Sequence, residues 1–146
     1  MTVDTPAPSD AGLPPFSWPV RVYWEDTDAG GIVYYANYLK FFERARTEWL
    51  RAKGIHQQAL REQTGGMFVV SQAQINYLKS ARLDDELLLT TTLTQSGRVA
   101  MTIHQQAWRK HLDKPVLLCE AIIRASWVSA TGKPARIPQV ILDKLL

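Results

Sequence analysis

From Asn37 to Lys53 apolar residues recur at helical spacing. Tyr38, Phe42, Ala45 and Trp49 share one face, and Leu39, Phe41 and Leu50 widen it. Lys40, Arg44, Thr47 and Arg51 fall opposite, and Gly54 supplies a stop. An apolar arc this broad predicts a helix wrapped by a sheet. Arg46 falls inside the arc with Glu43 three residues before it, which reads as an ion pair at the core edge. Elsewhere the pattern shortens towards alternation. Pro19 to Glu25 alternates imperfectly and predicts a first strand. Four longer strands are expected over Met67–Lys79, Glu86–Gln95, Arg98–Lys110 and Pro115–Val128. Their separators, "SARLDD", "SG" and "HLDK", read as hairpin turns that set neighbouring strands antiparallel. In the last strand Cys119, Ala121, Ile123, Ala125 and Trp127 point one way while Glu120, Arg124 and Ser126 point the other, so it has one buried face. A short amphipathic piece spans His56–Gln63 before a Gly65–Gly66 break, and Gln139–Leu146 forms a final short helix after the turn "SATGKPARIP". The sum is an α+β domain with its helix lying across a curved antiparallel sheet. Long strands leave edges, so a dimer or larger assembly is expected.

Composition narrows this only a little. With 146 residues, 46% of them hydrophobic, the chain can bury a real core but is short for two domains. The first 16 residues, "MTVDTPAPSDAGLPPF", are rich in Pro, Ala, Ser and Asp and read as a disordered tail, leaving residues 17–146 as one domain. Basic residues exceed acidic ones by 17 to 14 and are scattered, which argues against a nucleic-acid partner. Cys119 stands alone, so neither an internal disulfide nor a multi-cysteine zinc site is expected, and a reducing compartment suits it. No leader pattern is present and no apolar run approaches the roughly 20 residues that span a bilayer, so the expected location is cytoplasmic.

Most stock motifs are missing. There is no Gly-x-Ser-x-Gly elbow, and "TGK" at Thr131–Lys133 lacks the upstream glycine spacing of a phosphate loop. His56, His104 and His111 are not spaced as metal ligands, and Cys119, on an inward face without a basic neighbour, reads as inert. What remains is "WEDTDAGGIVYYANYLKFFERAR", beginning at Trp24. It can be an ordinary acidic turn leaving a strand. Three details give it a second reading. Carboxylates two residues apart can differ in environment, so that Asp26 and Asp28 divide structural and chemical roles. Gly30 and Gly31 permit backbone conformations closed to other residues and let a ligand approach the main chain. The run leads straight into a helix N-terminus, whose unpaired N–H groups can hold a developing oxyanion. These are parts for acyl transfer without serine, cysteine or metal.

At these residues the sequence resembles a known family. "VRVYWEDTDAGGIVYYANYLKFFERARTEWL" is similar to the signature of the hotdog-fold acyl-CoA thioesterases of the hydroxybenzoyl-CoA thioesterase branch, closest to those associated with the bacterial Tol-Pal system. The similarity runs from about Trp18 to Pro138 and includes "ARLDD" and "KPARIP". It implies a hotdog fold, hydrolysis of acyl-CoA to free acid and CoA, and no cofactor, since CoA is part of the substrate. It also implies that Asp28 is the catalytic carboxylate and that the backbone N–H of Tyr35, seven residues on, holds the thioester carbonyl. Two positions depart from the family pattern. The Tol-Pal-associated proteins carry His where this chain has Tyr35, whereas the hydroxybenzoyl enzyme carries Tyr; and the turn "SGRV" keeps only Arg98 of a basic cluster that meets CoA. Arg98 is read either as a CoA phosphate contact or as a plain surface residue.

On this reading Asp28 attacks the carbonyl or activates the water that does so, and Gly31, Tyr34 and Tyr38 join Arg98 as substrate-binding residues, the tyrosines lining an acyl pocket or serving as core. The rival reading is a non-catalytic binding or scaffold protein that recognises acyl carrier protein or an envelope-system partner through its spread-out basic residues.

Overall fold

The computed structural model describes residues 15–110 and 114–146; most of the expected tail, and His111, lie outside the described residues. Strand β1 is Phe16–Arg21, followed by a single 3-10 turn at Trp24–Asp26, helix α1 at Asn37–Ala52 and helix α2 at Gln57–Thr64. Strands β2 (Met67–Tyr77), β3 (Glu86–Ser96), β4 (Ala100–Arg109) and β5 (Val116–Val128) follow, and helix α3 (Gln139–Leu145) ends the chain. The first strand thus starts three residues before the expected Pro19 and stops four short of Glu25. Phe16 pairs with Thr91 and Arg21 with Glu86, and β1 tolerates Pro19 because it is an edge strand. Trp24 and Glu25 leave the sheet because the Asp26 carboxylate accepts the Tyr23 N–H at 2.8 Å and winds the chain into a turn.

All pairings are antiparallel, in the order β1-β3-β4-β5-β2. The turn Gly97–Ala100 closes β3 onto β4, as "SG" predicts, with the Gly97 N–H reaching the Ala100 carbonyl at 2.8 Å. The expectation that "SARLDD" is also a hairpin turn is wrong. It is a crossover that carries the chain from β2 on one edge to β3, next to β1 at the other. Tyr38, Phe41, Phe42, Ala45, Trp49 and Leu50 of α1 are buried against β1, β3 and β4, and the inward row of β5 is buried as expected. Leu39, expected in the buried arc, is 42% exposed on the side of α1 facing away from those strands.

Arg46 departs from its expected partner. Instead of pairing with Glu43 it donates from Nη1 to Oε1 of Gln105 on β4 at 2.9 Å. Gln105 in turn donates to the Phe42 carbonyl and to Thr91 Oγ1, both at 3.0 Å. Gln105 is fully buried, so its carbonyl oxygen needs a donor, and Arg46 is the one within reach.

Candidate active site

The two carboxylates of the acidic triplet sit in opposite environments. Asp26 is buried; besides its bond from Tyr23, its main-chain carbonyl accepts the Tyr34 N–H at 3.0 Å and Asn37 Nδ2 at 2.9 Å. Those bonds tie the acidic turn to the first residue of α1. Asp28 is exposed and stands at the corner of a tight loop: its Oδ1 accepts the Gly30 N–H at 2.8 Å, its N–H bonds the Ile32 carbonyl at 2.9 Å, and its carbonyl accepts the Gly31 N–H at 3.0 Å. An Asp bonding the N–H two residues on is a turn-forming device, and Gly31 closes the turn at φ +80°, where a side chain would be strained.

Asp28 faces a cleft of about 280 Å³ whose other walls include Tyr35 and Tyr38 from the start of α1 and Tyr77, Lys79 and Ser80 from the end of β2 and the crossover. The crossover is pinned beneath the loop. Ala81 accepts the Val33 N–H at 2.9 Å and gives its own N–H to the Tyr38 hydroxyl at 3.1 Å, while Ile32 and Arg82 form a bridge. Tyr77 donates its hydroxyl to the Tyr35 carbonyl at 3.0 Å and packs edge-on against the Tyr35 ring. Burial raises the Tyr38 phenol above its ordinary pKa, with the bond from Ala81 working against it, and burial does the same at Tyr77. Both phenols therefore stay protonated at neutral pH.

The start of α1 has no side-chain cap. Ala36 occupies the capping position, and among the described residues no acceptor meets the N–H of Tyr35, Ala36 or Tyr38. Side-chain caps stabilise helices by about 0.5–2 kcal/mol, so an open end this close to a carboxylate forgoes stability and keeps donors free.

The expected site residues thus divide. Asp28, Tyr35 and Tyr38 meet in one cleft. Tyr34, exposed and outside the cleft, packs its ring at a tilt against Tyr35, and Gly31 shapes the loop without lining the cleft. Arg98 sits in the β3–β4 turn, at the opposite end of β3 from the crossover; that strand's 11 residues span roughly 35 Å. Within one chain Arg98 does not meet the others. Tyr77, Lys79 and Ser80 escape a reading that takes the crossover for a hairpin turn; the length of "LKSARLDD", too great for a two-residue turn, is the available signal. Cys119 is buried with its thiol pushed up to about 12, mainly by burial and then by the charge of Glu120. No group of three His, Cys, Asp or Glu among the described residues is placed to hold a metal, and no described helix is long and apolar enough to cross a membrane.

Comparison with known proteins gives this arrangement a family. The thioesterase-like superfamily matches residues 22–145. The chain is 42% identical over 127 residues to the acyl-CoA thioesterase YbgC of Haemophilus influenzae, covering 86% of this chain and 90% of that one. It is 48% identical over 91 residues to the acyl-CoA thioester hydrolase YbgC of Escherichia coli O157:H7, covering 62% and 67%. Among solved structures, a 4-hydroxybenzoyl-CoA thioesterase mutant complexed with 4-hydroxybenzoyl-CoA superposes with a TM-score of 0.84 over 89% of this chain and 97% of that one, at 16% identity, a likeness of fold alone. With its single long helix across a five-stranded antiparallel sheet, the chain has the hotdog fold and belongs to the thioesterase-like superfamily.

Proposed function

We propose that this protein hydrolyses acyl-CoA thioesters to the free acid and CoA, with Asp28 as the catalytic carboxylate. The observation that carries this is the shared cleft: an exposed Asp28 carboxylate and the uncapped start of α1 form walls of the same space. The thioester carbonyl oxygen would accept the Tyr35 N–H, so that charge developing on it during attack is stabilised by a donor already in place. Two routes use the same atoms. In one, Asp28 takes a proton from water as the water oxygen bonds the carbonyl carbon. In the other, a carboxylate oxygen bonds that carbon to give a mixed anhydride, which water then opens. In both the C–S bond breaks, and the CoA thiolate leaves and takes up a proton. When water opens the anhydride at the Asp28 carboxyl carbon, a single turnover in heavy-oxygen water labels the Asp28 side chain, which the general-base route never does. The overall reading is tested by following CoA release from short, long and aromatic acyl-CoAs; turnover of none of them overturns it.

The relatives' names supply the substrate class, and no described residue supplies a chain length. Lys79, on the cleft wall and exposed, is a cation at hand for the CoA phosphates, a role Arg98 could take only from a second copy. We also propose that β2 pairs with β2 of another copy. It is an 11-residue edge strand with Val70 and Tyr77 about half exposed, a long edge that a monomer would leave open. Light scattering that returns the 16.5 kDa monomer mass overturns this. A reducing, cytoplasmic setting suits the single buried thiol.

A further inference from the structure

A second cavity, of about 220 Å³, lies deeper along α1 and holds a charge that the catalytic reading does not use. Its walls are mostly apolar, with Phe68 and Val70 from β2 and Met101 from β4, but Arg46 lies among them, with Glu43 and Thr47 beside it. A guanidinium has five N–H donors. Among the described residues, the Arg46 guanidinium donates one hydrogen bond, to Gln105 Oε1, and no carboxylate lies within ion-pair distance of it. Glu43 instead accepts the Thr47 hydroxyl at 2.7 Å. Burial loosens the guanidinium's hold on its proton, and the nearby charge of Glu43, which makes no ion pair with it, restores it only in part.

The cavity and the catalytic cleft share one seam. Helix α1 packs over β1, β3 and β4, and it shares the walls of both spaces with residues of β2. The cleft has Tyr38 and Tyr77 at one end of this seam; the cavity has Arg46 and Val70 further along. From Tyr38 to Arg46 is eight residues of helix, roughly 12 Å. Along β2, exposed Ala73 and half-buried Ile75 fall between Val70 and Tyr77, opposite the inward residues Ile123 and Ala121 of β5, an apolar stretch suited to methylenes.

We propose that Arg46 is a specificity-determining residue which reads the far end of the acyl group, favouring chains that end in an acceptor oxygen, a carboxylate most strongly. The inference rests on the thioesterase reading for the direction in which the acyl group lies. A methyl end driven against Arg46 strips water from a charge and returns nothing, whereas a carboxylate can take two of its parallel donors. Sites built to bond a polar group reject the analogue that lacks it, and here the difference expected is at least about tenfold in affinity.

Calorimetry with non-hydrolysable CoA thioethers tests this, using a homologous series whose chains end in methyl or in carboxylate. At the best-fitting length the wild-type protein should bind the carboxylate-ended thioether at least about tenfold more tightly, and Arg46→Met should abolish the difference. Because Arg46→Met leaves the buried Gln105 carbonyl without its donor, the double variant Arg46→Met/Gln105→Leu, which removes both partners, is measured beside it and should show the same loss of discrimination. The proposal is overturned if methyl-ended chains bind as tightly at every length, or if the carboxylate preference survives in the double variant. Turnover of the corresponding thioesters is followed in parallel. A thioether preference that depends on Arg46 without any turnover supports the assignment of Arg46 while sinking the hydrolytic reading.

Discussion

Asp28→Asn and Asp26→Ala should separate activity from stability within three residues of chain. In Asp28→Asn the new amide oxygen can still accept the Gly30 N–H, so the loop keeps the bond that shapes it. The position is exposed, and substitutions there should move stability by no more than about 0.5 kcal/mol. What disappears is the negative charge that the proposed attack or proton transfer needs. Loss of a positioned general base lowers the rate by about 10²–10⁴-fold, which is roughly 3–5 kcal/mol of barrier. At Asp26 the balance reverses. Its carboxylate is buried and accepts the Tyr23 N–H at 2.8 Å, so Asp26→Ala leaves that donor without a partner, at a cost of about 1–3 kcal/mol. That corresponds to a fall in Tm of roughly 3–12 °C for a domain of this size. The assay pairs thermal melting with CoA release at saturating and limiting substrate. The reasoning fails if Asp28→Asn keeps more than about a tenth of kcat/KM, or if its activity falls only because its Tm falls with it.

Three further outcomes follow from the site and the core. Tyr77→Phe removes the donor to the Tyr35 carbonyl, and with about 0.5–1.5 kcal/mol of support gone from the oxyanion segment, kcat/KM should fall by up to about tenfold with little change in melting; an unchanged kcat/KM refutes this. Gly30→Ala puts a methyl 3.2 Å from Asp28 Oδ1 and should lower kcat, whereas Gly31→Ala meets no neighbour but is forced to φ +80° and should cost about 1–2 kcal/mol of stability. Equal effects at the two glycines in both assays would contradict that division. Cys119 holds its proton up to about pH 12 when folded against an ordinary 9.0, so above pH 9 the unfolded chain carries fewer protons and stability falls as pH rises, by roughly 1.4 kcal/mol per unit until pH 12. Tyr38 and Tyr77, also raised, add to the fall above pH 10. Denaturant titrations at pH 8 and 11 should show the loss, and Cys119→Ala should make it shallower; a slope that Cys119→Ala leaves unaltered refutes the Cys119 share.

Much of this fold is legible in hydrophobic spacing because each element has one buried face. The α1 stripe at Tyr38, Phe42, Ala45 and Trp49 and the alternation of Cys119 to Trp127 on β5 repeat at fixed periods, and both rows are buried. Strand order is a different matter. Spacing gives the direction of each strand's face but not its neighbour, and only the chain path reveals that β2 pairs with β5 rather than β3. The partner of Arg46 is hidden for the same reason: Glu43 is close in sequence, while Gln105 comes within reach only once β4 lies under the helix. Loop chemistry lies between these extremes. Asp26, Asp28 and the two glycines announce a built turn, but Lys79 and Ser80 enter the cleft through the unforeseen crossover.

The same residues explain why the cleft sits where it does. Tyr38 uses its ring for the core and its hydroxyl for the Ala81 N–H, so the crossover cannot move without disturbing α1. Asp26 ties the acidic turn to Asn37, so the Asp28 loop cannot move without disturbing it either. Both sides of the cleft are therefore fixed to the first turn of one helix, and that turn is the place where a side-chain cap is missing. A serine or aspartate at position 36 would accept the Tyr38 N–H and stabilise the helix by about 0.5–2 kcal/mol, while the Tyr35 N–H, which precedes the cap, would stay free. With Ala36 in its place, the bonds from Asp26, Tyr38 and Tyr77 supply the rigidity that a cap would otherwise give.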